Sequence, residues 1–197
     1  MSVNALKLKE SIIVDGNSMG NEKKMKYEGV PSKFSWAGLG DISIGRSNLG
    51  QEMPVVVYRL LQYTIKDILA REFGEEHAAD LFRAAGKLAG EQFAKNVLDL
   101  AGDFDYFLTN LQRTLSDLKI GILRIERADM STFNFTLTVS EDLDCSGLPV
   151  TDETVCDYDE GFIAGVLEAY SGKKFNVREV DCWASGDRTC RFDVKPV

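Results

Sequence analysis

The stretch from Cys156 to Cys190 constrains this 197-residue chain more than any other. It holds three of the four cysteines, Cys156, Cys182 and Cys190, with Glu179 three residues before Cys182. A segment of helical pattern separates the first cysteine from two β-rich runs, 175–182 and 190–194, joined by Ala184-Ser185-Gly186-Asp187-Arg188. If this final hairpin turns about Gly186, Cys182 and Cys190 oppose one another with Cβ atoms about 4.5–5.5 Å apart. That separation suits two thiolates on one tetrahedral metal, whose metal–sulfur bonds are about 2.3 Å long. Cys156 stands at the start of the intervening helix, where the positive end of the dipole favours a thiolate. Glu179 and Cys182 have opposite parity on an ideal strand, so both face one ion only if a bulge or strand start lies between them. Cys145 is a rival fourth ligand. On spacing alone, a Cys182–Cys190 disulfide and four unrelated buried thiols remain open readings.

The rest of the chain supplies a helical layer for this block. Pro54 suits the first position of a helix, and Val57, Leu60, Leu61, Ile65, Ile68 and Leu69 follow at three- and four-residue spacing as one apolar stripe. Phe73-Gly74 ends that helix. A second runs from about Glu75 to Leu100 and carries Gly86 and Gly90 four apart. Glycine costs about 1 kcal/mol inside a helix, so a close neighbour is expected there. A third runs from about Phe104 to Leu118, with Asp103 as its N-cap. The period then drops to two through Ile120–Arg127 and Phe133–Val139, a β-hairpin with one buried face. A last helix spans about Tyr158 to Tyr170, again with two glycines four apart, Gly161 and Gly165. The order predicts an α+β fold, a helical layer packed on an antiparallel sheet, with a C-terminal β-β-α-β-β unit. Residues 1–32 are polar, aperiodic and broken by glycine, and read as a flexible or dimer-docking arm; 33–197 read as a single domain. A short strand is expected around Asp41–Ile44.

Composition excludes several function classes. With 23 basic against 31 acidic residues the net charge is −8, and the one basic cluster, Lys23, Lys24 and Lys26, is small. Direct nucleic-acid binding is not expected, because it needs clustered cations to displace counterions. No window approaches 18 uninterrupted apolar residues and the N-terminus has no signal-peptide core, so a cytoplasmic protein without a membrane span is expected. There, cysteines serve as thiols or metal ligands rather than disulfides. The sole histidine, His77, lies in the first turn of a helix beside Glu75 and Glu76 and reads as solvated. No Ser-His-Asp set, phosphate-cradling loop or nucleotide fingerprint is present; Gly38 and Gly40 lack the strand–helix context of one. Catalytic residues are accordingly not assigned.

The block C-x4-G-F-I-A-G-V-L followed by E-x-x-C-W-A-x-G-D-x-x-C-x-F resembles the 4-vinyl reductase domain family. Here it comprises Cys156, Gly161 to Leu167, Glu179, Cys182-Trp183-Ala184, Gly186-Asp187, Cys190 and Phe192. A weaker similarity of the glycine-bearing helices extends back to about Gly50. The family includes the sensory domains of phenol-responsive transcriptional activators, and its fold is similar to that of vesicle-tethering subunits. In the sensory members, zinc is held by three cysteines and a glutamate at spacings of 23, 26 and 34 from the first cysteine. The resemblance therefore implies a structural zinc on Cys156, Glu179, Cys182 and Cys190. It also implies an enclosed pocket for a small hydrophobic or aromatic molecule. Candidate lining residues are Trp183, Phe162, Tyr158, Phe82, Phe93 and Phe107, with Trp183 adjoining a ligand cysteine.

The resemblance thus implies a zinc-containing binding domain that senses or carries a small molecule through a signalling partner. It is expected as a homodimer, with the glycine-bearing helices and the arm as its surfaces. The alternatives are an enzyme or accessory factor in tetrapyrrole vinyl-group metabolism, or a ligand-free dimeric scaffold.

Overall fold

The computed structural model describes residues 31–197; the expected N-terminal arm falls almost wholly outside them. Ser35–Val197 form one compact unit. A 3-10 turn at Trp36–Leu39 and the short helix α1, Ile42–Gly45, precede the main elements. The strand expected around Asp41–Ile44 is thus a helical turn instead. The Asp41 carboxylate accepts from the Ile44 N–H and caps it, a local bond that competes with extended pairing.

Four longer helices follow the anticipated order: α2 (Val55–Phe73), α3 (Glu75–Val97), α4 (Phe104–Asp117) and, after two strands, α5 (Asp157–Ser171). Pro54 stands one residue before α2, in extended conformation, and Gly74 separates α2 from α3 at φ 89°. Asp103 caps α4 by accepting from the Tyr106 N–H. Strands β1 (Ile122–Asp129), β2 (Asn134–Ser140), β3 (Phe175–Asp181) and β4 (Cys190–Pro196) form one antiparallel sheet in the order β1-β2-β4-β3. The expected α+β architecture, including the β-β-α-β-β order, is the one observed. Alternation points Leu123, Phe135, Leu137, Val139, Val177, Phe192 and Val194 toward the helices, where they meet Phe107, Leu111, Leu115, Val166 and Leu167.

The paired glycines explain how α5 reaches this core. A Cβ on Gly86 or Gly90 would strike the carbonyl of Tyr158 or Phe162, and one on Gly161 or Gly165 that of Arg83 or Lys87. Helices α3 and α5 therefore lie backbone against backbone along both glycine pairs. The close neighbour expected from the glycine spacing is real, and it is α5 of the same chain. The glycine faces are consequently not available as a dimer surface.

Helix α2 is built the other way round. Its apolar stripe, read from the periodicity, does not enter the core: Leu60 is 60% exposed, Leu61 62% and Ile68 54%, and no residue of the helix is fully buried. Its polar residues face inward. Tyr58, Arg59, Gln62 and Tyr63 donate to the backbone and carboxylate of the 142–146 loop, and Lys66 donates to the Val155 carbonyl and Asp157. Periodicity finds a stripe but cannot say which side of the helix meets hydrogen-bond acceptors. His77 is exposed at the start of α3, as expected of a solvated residue.

Candidate metal centre

Three elements deliver the cysteines to one point. Cys190 opens β4 and shares the inward parity of Phe192 and Val194, so the alternation that builds the sheet also buries its thiol. Cys182 follows β3 directly, in a turn closed by the Ser185 and Asp187 N–H groups donating to its carbonyl, with Gly186 at φ 103°. Its own N–H donates to Ser185 Oγ at 2.9 Å. Cys156 occupies the position before α5.

The irregularity demanded by the parity of Glu179 and Cys182 is present: the β3–β4 register shifts between Glu179 and Asp181. Val180 is the extra residue, and it turns outward at 47% exposure. The bulge lets Glu179 and Cys182 both face inward.

Cys145 arrives from the loop after β2. Asp142 Oδ1 accepts from the N–H groups of Asp144 and Cys145 at 2.7 and 3.2 Å, closing a tight turn, and the polar face of α2 clamps the turn from outside. All four thiols are buried, and their sulfur atoms lie within 4.8 Å of one another. Cys156 Sγ is 3.8 Å from both Cys182 Sγ and Cys190 Sγ, while Cys145 and Cys190 stand 3.1 Å apart.

Of the residues named from the sequence, Cys156, Cys182 and Cys190 thus converge. Glu179 lies beside them, but Cys145 takes the fourth place in the sulfur cluster. Glu179 Oε2 accepts from the Cys156 N–H at 3.0 Å, and Oε1 is buried without a partner. Glu160 supports this arrangement from α5: its Oε1 accepts from the Glu179 N–H at 2.7 Å, and Arg83 binds both Glu160 and Asp157. No motif announced Glu160, Asp142 or Arg83. Their only trace in the sequence is an ionisable residue amid an otherwise apolar or turn segment.

The donor set fits a thiophilic divalent cation. Two sulfurs on one tetrahedral zinc are about 3.8 Å apart, given bonds of about 2.3 Å. Cys156 meets Cys182 and Cys190 at that spacing. The Cys145–Cys190 pair is too close for two ligands of one tetrahedron and must open to become so. Hydrogen bonds from Cys145, Cys156 and Cys190 hold the Cys182 thiol far below its ordinary pKa. The Cys145 contact raises Cys156 and Cys190. One thiolate solvated by its neighbours' S–H groups is the physical content of those opposite shifts. Burial pushes Glu179 up to about 8 and Asp142 up to about 7, the latter helped by Asp144. Acids and thiols crowded without a basic partner constitute a site that a cation would relieve.

A cavity of about 50 Å³ adjoins this centre, enclosed by α4, α5 and the inner face of the sheet. Phe107 and Phe162, two of the predicted lining residues, border it, together with Phe104, Phe135 and Leu137. Trp183, Tyr158, Phe82 and Phe93 do not. Phe93 packs on Phe162 at 5.3 Å, and Phe82 is buried on the inner side of α3. Trp183 donates to the Leu148 carbonyl and borders a separate open cleft with Arg59 and Arg188. The cavity's two polar borders, Asp142 and Asp159, come within 4.8 Å of Cys156 Sγ through their carboxylate oxygens.

Among the described residues no helix is long and apolar enough to cross a membrane. Two uncharacterised proteins of Methanocaldococcus jannaschii are similar in sequence. One is 30% identical over 106 residues, which is 54% of this chain and 60% of the relative; the other is 26% identical over 149 residues, 76% and 81%. The chain thus spans less than two thirds of the first of them. Similar solved structures include the phenol-responsive sensory domain of the transcription activator PoxR with phenol, at TM-score 0.58 and 17% identity over 75% of this chain and 76% of that one. A vinyl-4-reductase family protein from M. jannaschii matches at TM-score 0.55 and 19% identity over 81% and 97%. A trafficking protein particle complex subunit 3 from Naegleria fowleri, covalently bound to palmitic acid, matches at TM-score 0.54 and 12% identity over 73% and 97%. At these identities the three show a shared fold. The family model for the 4-vinyl reductase domain matches residues 135–196, from β2 through the cysteine cluster to the end of β4. Over that segment the chain is a 4-vinyl reductase domain, the family anticipated from its cysteine block.

Proposed function

We propose that this domain is a small-molecule sensor or carrier in which a hydrophobic ligand occupies the cavity beneath α5 and a zinc ion staples the end of that helix. The observation that carries this reading is the shared wall. Helix α5 begins at Cys156 and then borders the cavity with Phe162, Ile163, Val166 and Leu167. A ligand that shifts α5 therefore acts on the same element as the metal. The phenol-responsive relative of the same fold supports a sensing role. At about 50 Å³ the cavity exceeds a single water but falls short of the roughly 150 Å³ that admits benzene. An aromatic ring enters only as side chains of α4 and α5 move apart, which is how occupancy becomes a signal.

For the metal, Cys156, Cys182 and Cys190 supply three ligands and Glu179 the fourth. The unpartnered Oε1 of Glu179 and the crowding of Cys145 onto Cys190 favour glutamate over a fourth thiolate. Four protein ligands leave no open position, so the ion shapes the fold rather than performing chemistry. Protein purified without chelator should hold one zinc per chain. Glu179→Gln should lower that stoichiometry and Cys145→Ser should leave it unchanged; the reverse pattern would assign Cys145 instead. Cys182→Ala should cost about 3 kcal/mol or more, near 10 °C in Tm.

The outward face of α2 is the surface for a second copy of the chain. Val57, Leu60, Leu61, Ile65 and Ile68 leave apolar side chains in water, as do Trp36, Leu39, Ile42, Ile44, Leu49 and Met53 before the helix. Together with the flanking valines and Phe73 this is on the order of 700 Å² per chain, and burying it in two copies gives about 1,400 Å², the size of a standard specific interface.

A thermal-shift screen of zinc-loaded protein against phenols, other aromatics and porphyrins tests the binding reading. Stabilisation by a phenol or another small aromatic supports it; turnover of a vinyl tetrapyrrole with a reductant would replace it with the enzymatic alternative.

A further inference from the structure

The cavity's lining is apolar but for one end, where Asp159 enters from the first turn of α5 and Asp142 from the loop after β2. The two carboxylates are not equivalent. Asp142 Oδ1 is engaged by the N–H groups of Asp144 and Cys145. Asp159 Oδ2 is wholly out of solvent and has no hydrogen-bond partner. Buried polar atoms are partnered with few exceptions, and an orphan marks a strain reservoir, a catalytic role or a place kept for something absent. The surroundings of Asp159 supply no cation: the charged or chargeable groups acting on it are Asp142, Asp144, Glu179 and Cys145, all acidic. Lys66 and Arg83, the basic groups on the neighbouring helices, are committed to Asp157 and Glu160 on the other side of α5.

Resting on the ligand-binding reading above, we propose that Asp159 sets the ligand class: a small apolar body carrying one hydrogen-bond donor, a hydroxyl or an amine, whose donor meets Oδ2. A donor is served by either protonation state of this carboxyl. A ligand carbonyl is served only by the protonated one, and a ligand carboxylate is repelled by the surrounding acids. An apolar molecule without a donor leaves Oδ2 as unpartnered as before. Small pockets of this kind take their affinity from the apolar walls and their selectivity from a few placed polar groups. Of the two donor types, an ammonium would in addition offset the crowding of Asp142, Asp144 and Asp159.

The test is a comparison of four probes of similar size, phenol, benzylamine, toluene and benzoate, by calorimetry on the full zinc-loaded chain and on Asp159→Leu. Phenol or benzylamine should weaken at least tenfold on Asp159→Leu, while toluene keeps or gains affinity and benzoate becomes admissible. Loss confined to phenol identifies a neutral hydroxyl as the natural head group; loss confined to benzylamine identifies an amine. If phenol, benzylamine and toluene all change by the same factor, Asp159 is a wall and the inference is overturned while the cavity reading survives. If none of the four binds the unmodified protein, the cavity reading itself fails and this inference with it. Should Asp159→Leu not fold, Asp159→Asn keeps the shape and must still separate phenol from toluene by the same criterion.

Discussion

Helices α2 and α5 carry similar apolar stripes and use them oppositely. Helix α5 sinks Ala164, Val166 and Leu167 into the core and brings its backbone against α3 along Gly161 and Gly165. Helix α2 hands its polar side to the protein, five residues binding the 142–146 loop and the start of α5, and leaves its stripe outside. The difference lies in what each helix faces. Beneath α5 is a sheet whose backbone is already paired, so only apolar surface can be gained. Beneath α2 is an irregular loop with free carbonyls at Asp142, Leu143, Asp144 and Ser146, and buried carbonyls require donors. An amphipathic helix settles with whichever face satisfies its neighbour.

The sharpest break is at the glycines. Gly161→Val should destabilise by about 4 kcal/mol or more, because its side chain would occupy the Arg83 carbonyl and α5 cannot retreat without opening the core. Urea denaturation measures it, and a loss below about 1 kcal/mol would mean the two helices have room to spare. Next is Arg59→Ala on the inner side of α2, which strips donors from the Leu143 and Ser146 carbonyls. About 1–3 kcal/mol should be lost, with faster amide exchange confined to the loop bearing Cys145. Smallest is Leu61→Glu on the outer side. Chain stability at low concentration should move by no more than about 0.5 kcal/mol, yet light scattering should report dissociation of the dimer. A variant that instead unfolds the isolated chain would place that face inside the protein's own fold.

Much of the site was legible because its logic is local. The interval from Cys156 to Cys190 encodes a helix, a strand, a turn at Gly186 and a strand, and parity alone required the bulge found at Val180. Gly86, Gly90, Gly161 and Gly165 announced a tight helix contact, though not that they would contact each other. What remained hidden depends on distant partners. Cys145 reaches the cluster through a turn held by Asp142 and clamped by α2, more than 80 residues earlier in the chain. The inversion of α2 was unreadable for the same reason, since nothing in residues 55–73 specifies that an unpaired loop lies beneath them. Asp159 looked like an ordinary acid in the first turn of a helix, where such residues are common.

The sheet order β1-β2-β4-β3 has a consequence for how the protein is made. Strand β4, the last of the four along the chain, is inserted between β2 and β3 rather than added at an edge. During synthesis β2 therefore waits with one side unpaired until residues up to Pro196 have left the ribosome. Cys145, Cys156 and Cys182 wait with it, because Cys190 begins that strand. Assembly of the sheet and of the cysteine cluster is thus a single late event. Long-range pairing of this kind is slow and exposes strand edges in the interim. A cation that gathers the thiols as the final strand emerges would shorten the interval in which the unfinished sheet is open to other chains.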